Sequence, residues 1–99
     1  MAKQTRKAQL QAFLLTIDPH RLDRARQIAW LFVHSDRRFI GLDRVRDEIA
    51  ETAALNALGG KFECKLMHQK SVAGTQADAE FRAFLAATTA HIKAQIETT

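Results

Sequence analysis

Cysteine is almost missing from this chain: Cys64 stands alone among 99 residues. No intramolecular disulfide can form, which excludes a secreted, disulfide-stapled scaffold and points to a reducing compartment. Proline is nearly as scarce, with Pro19 the single one, and there are four glycines. Long stretches therefore carry no helix breaker, and seventeen alanines favour helix throughout. An all-β architecture is excluded. Tyrosine does not occur, no glycine-rich phosphate loop is present, and no serine or cysteine sits in a recognisable nucleophile setting. Nothing here predicts catalysis or a cofactor.

Long hydrophobic runs are also missing. The longest, Ile28 to Val33, is six residues, whereas a membrane span needs about 20. The charged start at Lys3, Arg6 and Lys7 leads into an apolar stretch that Gln9 and Gln11 interrupt. No small-residue cleavage signature comes after it, so no signal peptide is expected. The expectation is a soluble, cytoplasmic protein with no membrane partner.

What remains is ordinary globular usage, 46% hydrophobic and 26% charged. That is enough for one domain over 1–99, with 1–5 and 97–99 expected to fray. So small a core leaves a thin stability margin, which favours association, a homodimer being its simplest form. Charge is unevenly spread. From Lys3 to Arg46, ten Lys or Arg stand against four Asp, a net of +6, while Asp47 to Thr99 carries five against seven, a net of −2. The basic first half suits a polyanion or an acidic protein surface, although a solvated basic face has the same composition.

The apolar spacing predicts a mainly α fold of about four helices, over 6–17, 19–34, 42–58 and 76–96, in one compact domain. In the first, Leu10, Phe13, Leu14 and Ile17 share a face, with Ala8, Ala12 and Leu15 on a weaker second one. Asp18-Pro19 is a helix start, since Asp18 caps free amides and Pro19 gives up an N–H that would have no partner. The second helix turns Leu22, Ala25, Ala29, Phe32 and Val33 inward and Arg21, Arg24 and Gln27 outward. Its last two turns are apolar all round, so Trp30 and Leu31 are expected to meet the first helix or another subunit. Leu42, Val45, Ile49 and Ala53 line the third helix, and Phe81, Phe84, Leu85, Thr88 and Ile92 the fourth. Thr75 with Asp78 resembles a capping box.

The adjacent pair Gly59-Gly60 decides the course of the chain after the third helix. Two interior glycines would cost a helix about 2 kcal/mol relative to alanine, whereas at a helix end they are favourable, with Gly59 as a left-handed cap. The next six residues, Lys61 to Leu66, alternate polar and apolar, which favours a short strand or hairpin within 61–75 over a helix continuing to His68. Phe39-Ile40, Ser71 to Thr75 or a second subunit would supply its edge.

A helix-turn-helix is a natural thought for a small basic helical chain, with 42–53 and 56–68 as the pair and Asn56, Lys61, Lys65 and His68 toward DNA. Against it, Ala53-Ala54-Leu55 offers no turn residue, and Asp47, Glu48 and Glu51 would face the phosphates. A wing over Val72 to Phe84 is disfavoured because Phe81 onward reads as helix. A second route to polyanions is direct. Arg21, Arg24, Arg26, Arg37, Arg38, Arg44 and Arg46 fall in one span with no lysine, and the guanidinium fork suits phosphate and carboxylate alike. Asp23, Asp36 and Asp43 lie among them and would pair some of them locally. Cys64 and His68 are four apart, but two ligands do not make a zinc site, and His20, His34 and His91 show no spacing that recruits them. No metal is expected, and Cys64 reads as a buried cysteine.

The sequence is thus best read as a small, basic, non-enzymatic binding protein. Nucleic acid, DNA first, is the expected partner, with Arg21, Arg24, Arg37, Arg38, Arg44, Arg46, Lys61 and Lys65 as the contacting residues. The alternative is a small helical inhibitor or adaptor that uses the same cations, with exposed hydrophobics, on an acidic surface of a partner protein.

Overall fold

The computed structural model describes residues 5–37, 41–64 and 76–97. Among the described residues four helices succeed one another: α1 Arg6–Leu14, α2 Pro19–His34, α3 Asp43–Ala57 and α4 Gln76–Glu97. Each of α2, α3 and α4 packs on the other two. No strand occurs among the described residues. The molecule measures 41 × 35 × 19 Å, a thickness of about two helix diameters.

Local chemistry sets most of the boundaries. Thr5 caps α1, its hydroxyl accepting from the Ala8 amide at 3.1 Å. Asp18 caps α2 by accepting from the His20 amide at 2.9 Å, with Pro19 at the first position as expected. α1 closes at Leu14, one turn earlier than its apolar spacing predicts. The amides of Thr16 and Ile17 bond back three residues, to Phe13 and Leu14, tightening the chain before Asp18. As the residue before a proline, Asp18 is disfavoured in the helical region.

The core lies where α2, α3 and α4 meet. Ala25, Ala29 and Val33 of α2, Val45, Ile49, Ala53 and Ala54 of α3, and Phe84 and Ile92 of α4 are buried. Alanines at the junction let the backbones approach closely. α2 runs antiparallel to α3, since Arg26 meets Glu51 and His34 meets Asp47. It also runs antiparallel to α4: near its end Phe32 stacks on Phe84 and on His91 at ring distances of 6.0 and 4.5 Å, and near its start His20 and Arg24 border a recess with Ile96. Thr88, fully buried, donates its hydroxyl to the Phe84 carbonyl at 2.7 Å. Among its described side chains α1 adds none that is fully buried: Leu10, Phe13, Leu14 and the succeeding Ile17 are half-covered.

The two glycines end α3. Gly59 has φ +106°, the Gly59 amide donates to Asn56 and the Gly60 amide to Leu55, the paired bonds of a Schellman motif. A Cβ on Gly60 would lie 2.9 Å from the Leu55 carbonyl oxygen and 2.7 Å from the Phe62 ring. The left-handed turn at Gly59 ends α3, and residues 61–64 are not helical. The strand expectation is not met over its described part, because residues 61–64 join no ladder. A side chain takes the place of the partner strand. Asn56 accepts from the Phe62 amide at 2.8 Å and donates to the Phe62 carbonyl at 3.0 Å. Cys64 is buried in the core, its thiol directed to the Glu48 carbonyl at 3.6 Å. Residues 65–75, with the proposed hairpin return and Thr75 of the capping box, lie outside the described residues, as do Phe39 and Ile40.

Candidate nucleic-acid interface

The helix-turn-helix geometry is overturned by the continuity of α3, which runs from Asp43 through Ala53, Ala54 and Leu55 to Ala57 without a turn. Asn56, expected toward DNA, spends its amide on Phe62. A wing reaching Phe84 is excluded in the same way, since Gln76 to Phe84 is helical.

The arginines divide into two groups. Arg26 and Arg46 are held by carboxylates. Arg26 grips Glu51 of α3 with two parallel bonds, Nε to Oε2 at 2.9 Å and Nη2 to Oε1 at 2.6 Å. That bond raises the Arg26 pKa above its ordinary value, against a smaller lowering from burial. Arg46 folds onto the protein surface with its side chain 13% exposed, and its guanidinium bonds Asp43 one turn earlier. The expected local pairing by aspartates is therefore seen with Asp43, whereas Arg26 is taken by a glutamate of the neighbouring helix.

Arg21, Arg24, Arg37 and Arg44 form the other group. All four are exposed, and none has an ion pair or hydrogen bond among the described residues. Arg21 and Arg24 stand in the first two turns of α2, where with His20 and Ile96 of α4 they line a recess of about 320 Å³. The exposed amide end of α2 adds positive potential there, partly offset by the Asp18 cap. Arg37 lies just past the other end of α2, and Arg44 sits in the first turn of α3. Because α2 rises about 1.5 Å per residue, the two cationic ends are separated by roughly 20 to 25 Å. Lys61 is exposed on the chain that Asn56 holds. Arg38 and Lys65 lie outside the described residues.

His20 was not among the sequence-derived contacts, although its spacing of four from Arg24 carries the signal for a shared helix face. Arg82 and Lys93 were also missed. They border a groove over Ala86 and Ala90 of α4, and their spacing of eleven, three turns, is visible in the sequence. Among the described residues no three of His, Cys, Asp and Glu gather as metal ligands, and no helix is long and apolar enough to cross a membrane.

Fold and surface together define a small helical protein whose arginines at both ends of the second helix are exposed and, among the described residues, without a partner. No family model, no curated protein and no solved structure matches the chain.

Proposed function

We propose that this protein is a non-enzymatic binding protein that holds the phosphate backbone of nucleic acid, with duplex DNA as its first ligand. The observation that carries the reading is the division of the arginines. Carboxylates are supplied to Arg26 and Arg46, while Arg21, Arg24 and Arg44 stand exposed without one among the described residues. An exposed, unpaired guanidinium forks onto phosphate oxygens and releases counterions from the duplex. Arg21 and Arg24, with His20 beside them, form the principal contact, and Arg44 reaches a phosphate further along. At about 3.4 Å of helix axis per base pair, the separation of the two ends spans roughly seven base pairs. No helix is presented for base reading by a recognised motif, so contact is with the backbone and largely independent of sequence.

The test is binding of a labelled duplex of random sequence, read by anisotropy at roughly 50 and 200 mM salt. Wild-type protein is expected to bind in the micromolar range and to weaken steeply as salt rises. Arg21→Ala with Arg24→Ala should weaken binding to unrelated duplexes equally and flatten the log–log salt slope by about 0.9 for each arginine removed. No binding at the lower salt sinks the proposal and transfers these arginines to an acidic protein surface.

A further inference from the structure

The recess at the start of α2 is walled on one side by another helix. His20, Arg21 and Arg24 line it from α2, and Ile96 lines it from near the end of α4, around a hollow of about 320 Å³. That volume is at the lower limit of small-molecule sites, about 300 to 1,000 Å³. It admits one nucleotide and leaves no room for a run of duplex, whose backbone meets only the rim. Positive charge gathers here from side chains rather than from the helix end, because the Asp18 carboxylate already accepts from the His20 amide at 2.9 Å. Asp18 subtracts from the potential but not from the number of side-chain donors. Arg21 and Arg24 are three residues apart and His20 and Arg24 four, the spacings at which side chains on a helix are neighbours. Both guanidinium groups can therefore reach a single group in the hollow.

We infer that this recess takes a phosphate monoester carried on a nucleoside, the group that ends a nucleic-acid strand and that a free nucleotide also bears. The inference rests on the reading of Arg21 and Arg24 as phosphate-binding residues and narrows it. Charge favours the monoester. Its second pKa is about 6, so near neutral pH it carries close to two negative charges on three acceptor oxygens, whereas an internal phosphodiester carries one. Two guanidinium forks match the dianion, and the His20 ring adds a further N–H. Shape acts in the same direction. An internal phosphate is joined to a sugar on either side and lies on a convex duplex, so it cannot enter a hollow that α4 walls. A terminal phosphate projects and can enter, with its sugar against Ile96. Arg44, near the far end of α2, takes no part in the recess and keeps its contact with internal phosphates.

The test compares one labelled duplex with short 5′ overhangs in two forms, 5′-phosphate and 5′-hydroxyl, by anisotropy at roughly 100 mM salt. Wild-type protein should bind the phosphorylated form about tenfold tighter. Arg44→Ala should weaken both forms and leave their ratio unchanged. His20→Glu should bring the ratio to about one, because it sets a carboxylate on the recess; His20 is exposed and in the first turn of α2, where an acidic residue favours the helix. Equal binding of the two forms by wild-type protein overturns the inference and leaves the backbone reading standing, whereas binding of neither overturns both. A preference that survives His20→Glu overturns the inference as well. Deoxyadenosine 5′-monophosphate as competitor separates the two sources of the group. Displacement at a concentration near the Kd of the phosphorylated duplex assigns the recess to free nucleotides, and a requirement for at least about tenfold more assigns it to strand ends.

Discussion

At the scale of single residues, Asn56 does the most for the least volume. Its amide satisfies both backbone groups of Phe62, which would otherwise be left without partners beside a helix end. Asn56→Ala should lower unfolding free energy by about 1 to 3 kcal/mol, and Asn56→Asp, which keeps the acceptor for the Phe62 amide, by less; urea denaturation of the three proteins measures the order. This clasp also explains why Lys61 to Leu66 misleads as a strand. Its alternation is real in the described part, where Lys61 and Glu63 are exposed, Phe62 is half-covered and Cys64 is buried. Alternation reports which side of the chain is covered, not what its backbone bonds to, and here the partner is an amide side chain. Gly59 was legible because a left-handed cap has few candidates. Gly60 was not, since its need comes from the approach of Leu55 and Phe62.

At the scale of elements, α2 shows how closely a helix can divide its roles. Ala29 is fully buried and Leu31, two residues on, is 65% exposed. Ala29→Leu forces three extra heavy atoms into a filled junction and should cost at least about 1 to 3 kcal/mol, while Leu31→Ala should change the unfolding midpoint of the monomer little; thermal unfolding at low concentration separates them. The helices themselves were legible because their periodicity and the Asp18-Pro19 start agree. The early close of α1 was not, because Ile17 continues the apolar spacing after the backbone has turned. Which arginines stay bare was likewise hidden. Arg26 finds Glu51 25 residues away, and no local pattern announces a partner on another helix. With both side chains over 40% exposed, solvent screening limits that pair to about 0.5 kcal/mol. Its effect is on which cations remain for a ligand, more than on stability.

At the scale of the molecule, the four helices are unequal. Three share the core, whereas α1 holds on through half-covered side chains and the edge-on contact of Phe13 with Phe62 at 5.4 Å. In native-state hydrogen exchange, α1 amides should open at a free energy well below that of α3, by at least about 2 kcal/mol. Phe62→Ala should raise exchange in α1 about tenfold by removing that ring contact, with the α4 amides changing only as much as global stability does; equal loss everywhere would show that α1 is part of the cooperative unit. The loop clasp therefore reaches past its own turn. By fixing where the Phe62 ring stands, a single asparagine also holds the surface on which Phe13 of the leading helix rests, so Asn56→Ala is expected to hasten proteolysis within α1.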